Sequence, residues 1–404
     1  KAEKEQILTA ANFTAHRSPE RFIYRGLSLN SRHIDWHMFS EVSMRQYMKD
    51  EIRERLQMIR DTAESADGRC ITPSHETLLH LAAGLGEVQL LNRLLQRHAD
   101  PNVQIILPQQ AFPSIPDSEQ GNTPLTYACQ PGMDDSTPLP VHNRLSCLNL
   151  LIQYGADVNK PGPLGWPPLV ITCVAGIGGA PYEEAALFLL KCGADISLQP
   201  ELKGKKTSLL TWAAAAGYPL LVRKLCEAGY DPNFRGEMAP PLLSLNLNTP
   251  NAALQIAHIL LEYGADVNAA MPASTTLPET AGDTALLNLC RQLAFIDVSS
   301  LPQIRDLVNL FIKEGADVNH QNAAGETPLM ACCRGMLLGD DSLDRLKLGI
   351  ARLLLDHQSN PSLKDKYGRT ALQRIGNRSN EHLQMVLKYL PELSAPPLLK
   401  KENH

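Results

Sequence analysis

The chain has 404 residues, of which 44% are hydrophobic, and its formal net charge at pH 7 is −5. This charge argues against a general electrostatic affinity for nucleic acid or for an anionic membrane. The longest apolar run, residues 169–180, is shorter than the roughly 18 residues of a membrane-spanning helix, so we expect no transmembrane segment.

Residues 1–73 contain a strongly charged segment, at about residues 40–62, with an apolar stripe at helical spacing. The stripe consists of Met44, Met48, Ile52, Leu56 and Ile59. Because a repeat array follows, we expect residues 1–73 to form a helical capping region that covers the first repeat. His33 and His37 have the spacing of a zinc-binding pair on a helix, but no third ligand accompanies them, so we predict no metal site.

Two short motifs recur in step from residue 74 to residue 390. The first is Gly-Ala-Asp-Val-Asn, which occurs at 155–159, 264–268 and 315–319 and in altered form elsewhere. The second is a Thr-Pro-Leu-like triplet followed by small residues. Its eight copies begin at Thr77, Thr123, Pro167, Ser208, Pro240, Thr284, Thr327 and Thr370. Eight paired motifs indicate eight copies of one supersecondary unit.

Each unit has the signals of two successive helices. The Thr or Ser of the triplet can cap the free N–H groups of a first helix, and Pro is compatible with its first turn. A Leu-rich second helix follows, and a glycine such as Gly155 closes its last turn in the left-handed conformation. A two-helix unit cannot bury its apolar face alone, so the copies are expected to stack.

These motifs resemble the ankyrin repeat. The resemblance implies an all-α ankyrin-repeat solenoid of about eight helix-turn-helix repeats with an N-terminal helical cap. We therefore divide the chain into a capping region at residues 1–73, an ankyrin-repeat domain with insertions at residues 74–390, and a C-terminal tail at residues 391–404. The chain starts at Lys1 rather than at a Met, so we expect it to be an excerpt of a longer protein.

The repeats are longer than the ideal of about 33 residues. Successive triplets begin 46, 44, 41, 32, 44, 43 and 43 residues apart. The surplus lies in the turns between the paired helices and in the loops between repeats. We interpret it as tolerated surface loops, whose length costs little free energy, with a second contact edge as the alternative.

Nine cysteines are present, and no pair has the C-x-x-C spacing. Most of them fall within the first or second helices of the repeats, where a thiol acts as a small buried hydrophobic group. We expect reduced structural thiols and therefore a cytoplasmic protein.

The ankyrin resemblance also implies a partner-binding groove. In this family, partners lie against the loop fingers and the exposed side of the first helices, which the fifth residue of each triplet motif approaches. Large apolar residues occupy this position in the first four copies, although Leu81 and Ile171 could equally serve only as core. We predict partner contacts for Tyr127, Ile171 and Trp212, which occupy this position, and for Trp166, which directly precedes the triplet at Pro167.

Arginines dominate the corresponding side of the last three copies. A strip of arginines can bind carboxylates or phosphates in bidentate fashion, although a solvated face with local ion pairs is the alternative. The predicted strip consists of Arg291, Arg334, Arg369, Arg374 and Arg378.

These observations predict a non-enzymatic scaffold that binds a partner protein along its concave groove. The partner would carry an apolar segment and an acidic or phosphorylated segment. We expect no catalytic residues, cofactor, small-molecule substrate or nucleic-acid partner. The irregular repeats are similar to those of ankyrin effectors that intracellular bacteria secrete into the host cytosol, and also to those of eukaryotic adaptors. The alternative is the substrate-recruiting part of an enzyme, with its catalytic region in residues 1–73 or outside this chain.

Overall fold

The computed structural model divides the chain into two compact units, Lys1–Leu202 and Lys203–His404. The predicted capping region at residues 1–73, Arg378, most of the predicted tail and most of the inserted loops lie outside the described residues. The described residues are 77–105, 121–130, 141–162, 165–177, 182–197, 201–202, 205–206, 208–234, 239–272, 280–293, 301–334, 341–375 and 386–394.

Three helix pairs make up most of the described part of the first unit. Their bounds are α1 Leu78–Leu85, α2 Val88–Gln96, α3 Pro124–Cys129, α4 Val141–Gln153, α5 Pro168–Gly176 and α6 Glu183–Lys191, followed by a two-residue strand, β1 Glu201–Leu202. The first helices α1, α3 and α5 pack side by side, and so do the second helices α2, α4 and α6. Each helix pair is therefore one repeat, and consecutive repeats stack through equivalent faces.

In the described part of the second unit, the same alternation runs over four copies and the first helix of one more. Its elements are β2 Lys205–Lys206, α7 Leu209–Ala216, α8 Pro219–Glu227, a 3-10 turn at Pro241–Leu243, α9 Pro250–Glu262, α10 Ala285–Gln292, α11 Leu301–Lys313, α12 Pro328–Cys333, α13 Asp341–Asp356, α14 Ala371–Arg374 and a 3-10 turn at Pro391–Ser394. Helices α10, α12 and α14 pack in sequence, and so do α9, α11 and α13. The architecture is an all-α repeat stack, as predicted.

The fifth copy departs from the predicted helix pair, because its first helix is only a 3-10 turn. The turn begins with two prolines, Pro240 and Pro241, neither of which has a backbone N–H to donate. The chain then enters a turn in which the backbone N–H of Thr249 donates to the carbonyl of Asn246 at 3.2 Å. Helix α9 starts directly afterwards at Pro250, which leaves no room for a longer first helix.

The triplet motif caps the first helices as its sequence predicts. The hydroxyl oxygens of Thr123 and Thr327 accept hydrogen bonds from the backbone N–H groups three residues later. Ser208 caps α7 through the backbone N–H of Leu210. A side-chain cap of this kind stabilises a helix by about 1 kcal/mol, which is substantial for helices as short as these.

The Gly-Ala-Asp-Val-Asn motif links consecutive repeats through its asparagine. Asn102 donates from Nδ2 to the carbonyl of Gly155 at 2.8 Å, and its Oδ1 accepts from the backbone N–H of Asp157 at 2.8 Å. Asp100 in turn fixes Asn102 by accepting its backbone N–H at 2.8 Å. The same pair of inter-repeat bonds is made within each unit by Asn159, Asn233, Asn268 and Asn319. We call this set the asparagine ladder.

All eight described cysteines are free thiols, and seven of them are buried. Burial raises the pKa of Cys129 and of Cys226 to about 11 and that of Cys147 to about 12. These thiols are protonated near neutral pH and are poor nucleophiles. The prediction of buried structural thiols is confirmed for this group.

His80 connects the first two repeats from a fully buried position. Its Nε2 donates to the carbonyl of Asn122 at 3.0 Å, and its Nδ1 accepts the backbone N–H of Thr77 at 3.3 Å. Its ring meets the ring of Tyr127 edge-on, with 5.3 Å between centroids. Burial lowers the pKa of His80 from 6.5 to about 4, so the ring is neutral in the folded protein.

We expect His80 to make the stability of the first unit depend on pH. The unfolded chain binds a proton at His80 below about pH 6.5, whereas the folded protein does so only below about pH 4. The contribution is therefore complete above pH 6.5 and is lost as the pH falls towards 4, by up to roughly 3 kcal/mol. Urea unfolding of the chain and of His80→Gln across this range measures the difference. Equal pH slopes for the two proteins would contradict the assignment.

We expect Gly325→Ala to destabilise the second unit more than Gly368→Ala does. Both glycines have a positive φ, of +70° and +75°, which costs an alanine roughly 1 kcal/mol. At Gly325 a Cβ would also lie 3.0 Å from the backbone nitrogen of Lys366, whereas at Gly368 it would meet nothing within 4 Å. Urea midpoints compare the two variants, and equal losses would show that the close approach at Gly325 has no energetic weight.

Candidate functional site

The four apolar residues predicted to contact a partner are buried in the first unit and in α7 of the second. Tyr127 is 6% exposed, Ile171 2% and Trp212 3%. Trp166 is 1% exposed, and its carbonyl accepts the backbone N–H of Gly162 at 2.8 Å. Their contact with a partner stays a prediction, but each of these side chains is at most 6% exposed and offers little area to a partner.

The arginines of the last three repeats come together at the ends of their first helices. Arg291 lies in the last turn of α10, Arg334 is the C-cap of α12, and Arg374 is the last residue of α14. Arg369 directly precedes Thr370, the N-cap of α14. Stacking of equivalent helices thus brings together, on one side of the second unit, side chains that are about 40 residues apart in sequence. We call Arg291, Arg334, Arg369 and Arg374 the arginine face.

Glu326 lies at the centre of the arginine face and contacts three of its members. Its Oε2 lies 2.8 Å from Nη2 of Arg291. Its Oε1 lies 3.6 Å from Nε of Arg334 and 3.3 Å from Nη2 of Arg374. One buried carboxylate therefore holds arginines from three consecutive repeats.

Two further carboxylates extend the network on either side. Oδ2 of Asp365 lies 3.0 Å from Nε of Arg369 and 3.0 Å from Nε of Arg374. Oδ1 of Asp283 accepts hydrogen bonds from Arg291 at 3.1 Å and from the side-chain amide of Asn322 at 2.7 Å. The four described arginines of the predicted strip thus form an ion-pair network with three carboxylates and are not a row of free cations.

The pKa values of the carboxylates reflect burial and hydrogen bonding in different proportions. Burial raises the pKa of Asp283 above its usual value, against the opposing effects of Asn322 and Arg291. Burial would also raise the pKa of Asp365. There the backbone N–H groups of Arg369 and Tyr367, together with the guanidinium of Arg369, hold the pKa below its usual value. Asp365 is therefore ionised at neutral pH and anchors the two arginines beside it.

Exposure separates the network into a buried layer and an accessible layer. The side chains of Asp283, Glu326 and Asp365 are at most 2% exposed. Arg374 is 6% exposed and Arg291 16%, so both serve mainly as internal counterions. Arg334 is 48% exposed and Arg369 44%. The charges of this network that reach solvent are therefore chiefly the cations of Arg334 and Arg369.

An aromatic side chain, Tyr367, stands beside the accessible cations and was not predicted from the sequence. It is 64% exposed. Its ring centroid lies 4.8 Å from Cζ of Arg369 and 5.1 Å from Nζ of Lys366. The Asp365 turn fixes it, because Oδ1 of Asp365 accepts the backbone N–H of Tyr367 at 2.8 Å. The sequence signal was a tyrosine at the tip of a turn flanked by charged residues.

Models of the ankyrin repeat match three parts of the chain. The single-repeat model matches residues 74–105 and 120–162, and the model of three ankyrin-repeat copies matches residues 297–395. The matches include α1 to α4 and the whole arginine face except Arg291.

Curated relatives also match parts of the chain. Protein phosphatase 1 regulatory subunit 27 of Homo sapiens is 41% identical over 51 residues, which is 13% of this chain and 30% of that protein, and its Mus musculus counterpart gives the same figures. An ankyrin repeat protein of Acanthamoeba polyphaga mimivirus is 29% identical over 164 residues, or 39% of this chain and 27% of that protein. The chain thus spans less than a third of the length of each of these relatives.

Among the described residues, no helix combines the length and apolar character that crossing a membrane requires. The same residues contain no group of three or more His, Cys, Asp or Glu side chains placed to hold a metal ion. His33 and His37 lie outside the described residues.

We expect Glu326→Gln to destabilise the second unit by about 3 kcal/mol or more, because it leaves three guanidiniums without their shared buried counterion. The matched control is Glu392→Gln. Glu392 is 41% exposed and pairs with Arg352 at 2.8 Å, and an exposed, solvent-screened pair contributes about 0–1 kcal/mol. Urea unfolding measures both losses. A loss at Glu326 no larger than that at Glu392 would refute its central role.

Proposed function

Because the chain is an ankyrin-repeat protein, we propose that it is a non-enzymatic interaction module that binds a partner protein through the arginine face. The observation that carries the proposal is the layering of charge, with carboxylates buried and Arg334 and Arg369 about half exposed. Such an arrangement offers guanidinium groups to a partner while their own counterions stay inside the fold.

The partner segment that this face suits is acidic or phosphorylated. Arginine binds carboxylates and phosphates in a planar, bidentate geometry, and the accessible cations attract anions before contact. The exposed ring of Tyr367 adds an aromatic surface of the kind that is enriched at protein interfaces. An apolar partner segment has no exposed counterpart at Tyr127, Trp166, Ile171 or Trp212, so the proposal rests on the arginine face.

The relatives support an interaction role in general terms. One of them is named as a regulatory subunit of protein phosphatase 1. The buried free thiols of this chain are consistent with work in a reducing compartment such as the cytosol. The same surface would suit a bacterial effector in the host cytosol or a eukaryotic adaptor.

Affinity purification from eukaryotic cell lysate tests the proposal. The bait is the intact chain, compared with the double variant Arg334→Ala/Arg369→Ala. The control is Arg223→Ala/Arg352→Ala, whose arginines lie in the same unit, are 42% and 47% exposed and pair with exposed carboxylates. We expect the first variant to lose specific partners and the control to keep them, since only the first pair sits over buried counterions.

Circular dichroism and the urea midpoint establish that both double variants are folded before their partners are compared. Capture by the intact chain should also weaken as salt is raised, because accessible guanidiniums are screened. Retention of every captured protein by Arg334→Ala/Arg369→Ala would rule out the arginine face as the binding surface.

A further inference from the structure

Arg334 and Arg369 each approach a buried carboxylate through Nε. Nε of Arg369 donates a hydrogen bond to Asp365 at 3.0 Å, whereas Nε of Arg334 lies 3.6 Å from Glu326, an ion-pair distance that is too long for a hydrogen bond. The ion-pair contact of each side chain with its carboxylate is through Nε, and the two side chains are 48% and 44% exposed. Because Nε is the guanidinium nitrogen nearest the backbone, the two terminal Nη groups extend beyond the anchored edge. Each arginine thus keeps its outer pair of donors for an external group.

Arg374 fixes the two anchors relative to each other. Its Nη2 contacts the same oxygen of Glu326 as Arg334 does, and its Nε contacts the same oxygen of Asp365 as Arg369 does. Arg374 itself is only 6% exposed. Burial lowers the pKa of Arg374 against the opposing charges of Glu326 and Asp365, and the charges of Arg369 and Arg334 lower it further. Arg374 thus bridges the two buried carboxylates beside which the accessible arginines lie.

Fixed guanidiniums lose less conformational freedom on binding than mobile ones. An unrestrained arginine side chain has many rotamers, and part of that freedom is lost when it binds a ligand. The hydrogen bond from Nε of Arg369 to Asp365 removes much of this loss in advance. The aromatic ring of Tyr367, 4.8 Å from Cζ of Arg369, restricts that guanidinium further. Arg369 is thus organised before a ligand arrives, and Arg334 is held beside Glu326 by an ion pair.

The number of free donors distinguishes between possible anions. A carboxylate has two oxygens, which suffice for one guanidinium fork. A phosphate monoester has three terminal oxygens and a charge of about −1.5 to −2 at neutral pH, so two forks can share it. We propose that Arg334 and Arg369 form a clamp for a phosphorylated side chain of the partner, an inference that rests on the proposed function and specifies its ligand.

Synthetic peptides test the clamp directly. The probes are two glycine-flanked pentapeptides that differ only at the centre, one with phosphoserine and one with aspartate, and calorimetry measures their binding to the intact chain. We expect the phosphoserine peptide to bind about tenfold tighter or more, because it engages both forks. Equal affinity of the two peptides, or binding of neither, would overturn the clamp.

A charge-preserving variant separates the clamp from general attraction. Arg334→Lys/Arg369→Lys keeps both positive charges but removes the planar fork, so we expect the phosphoserine peptide to bind about tenfold more weakly. The matched control, Arg223→Lys/Arg352→Lys, should bind as the intact chain does. Undiminished binding by Arg334→Lys/Arg369→Lys, with its urea midpoint unchanged, would reduce the site to unspecific electrostatics and refute the clamp.

Phosphatase treatment of the lysate distinguishes failure of the clamp from failure of the proposed function. We expect the partners captured by the intact chain to be lost when the lysate is dephosphorylated beforehand. Partners that survive dephosphorylation but are lost with Arg334→Ala/Arg369→Ala would overturn the clamp and leave the interaction module standing. Partners that survive both would overturn the two proposals together.

Discussion

The asparagine ladder is the interaction on which the rest of the structure depends. Helix pairs alone would fix which faces are buried, but an apolar interface tolerates sliding because the hydrophobic effect has no direction. A carboxamide that donates to one backbone carbonyl and accepts one backbone N–H of the next repeat does have direction. Asn268, for example, spans to Gly315 at 3.0 Å and to Asp317 at 2.8 Å. Each such pair sets the distance and the register between two consecutive repeats.

Register is what creates the candidate site. Glu326 can contact arginines from three repeats only because the C-terminal ends of α10, α12 and α14 are aligned with one another. The backbone reinforces this alignment at the fingers, where Ala323 donates to the carbonyl of Ala281 at 2.9 Å and Lys366 donates to that of Ala324 at 3.0 Å. A shift of one repeat by even a few ångströms would separate the carboxylates from their counterions. The asparagine ladder and the ion-pair network therefore stabilise the same arrangement of the last three repeats.

The sequence predicted the features that are encoded within one repeat. Caps such as Thr327, the left-handed Gly315 and the buried thiol of Cys129 all follow from local rules, and each is found. Features that depend on what the neighbouring repeat covers were predicted less well. Trp166 is expected at a finger and is 1% exposed, because adjacent packing closes over it.

The arginines were identified from the sequence, with local ion pairs as the alternative to free cations, but the carboxylates that pair with them were not identified. Asp283 and Glu326 each directly precede a capping threonine, and that shared position was the available signal. Pairing Arg374 with Glu326 across 48 residues requires the stacked structure. Such a network is stable only if the desolvation of three buried carboxylates is offset by good geometry and by enough counterions. Four guanidiniums are present for three carboxylates, so one positive charge remains uncompensated within the network. It cannot reside deep in the fold without a large desolvation cost, so it is carried by the exposed ends of Arg334 and Arg369. The internal stability of the last repeats and their capacity to bind an anion thus have the same origin.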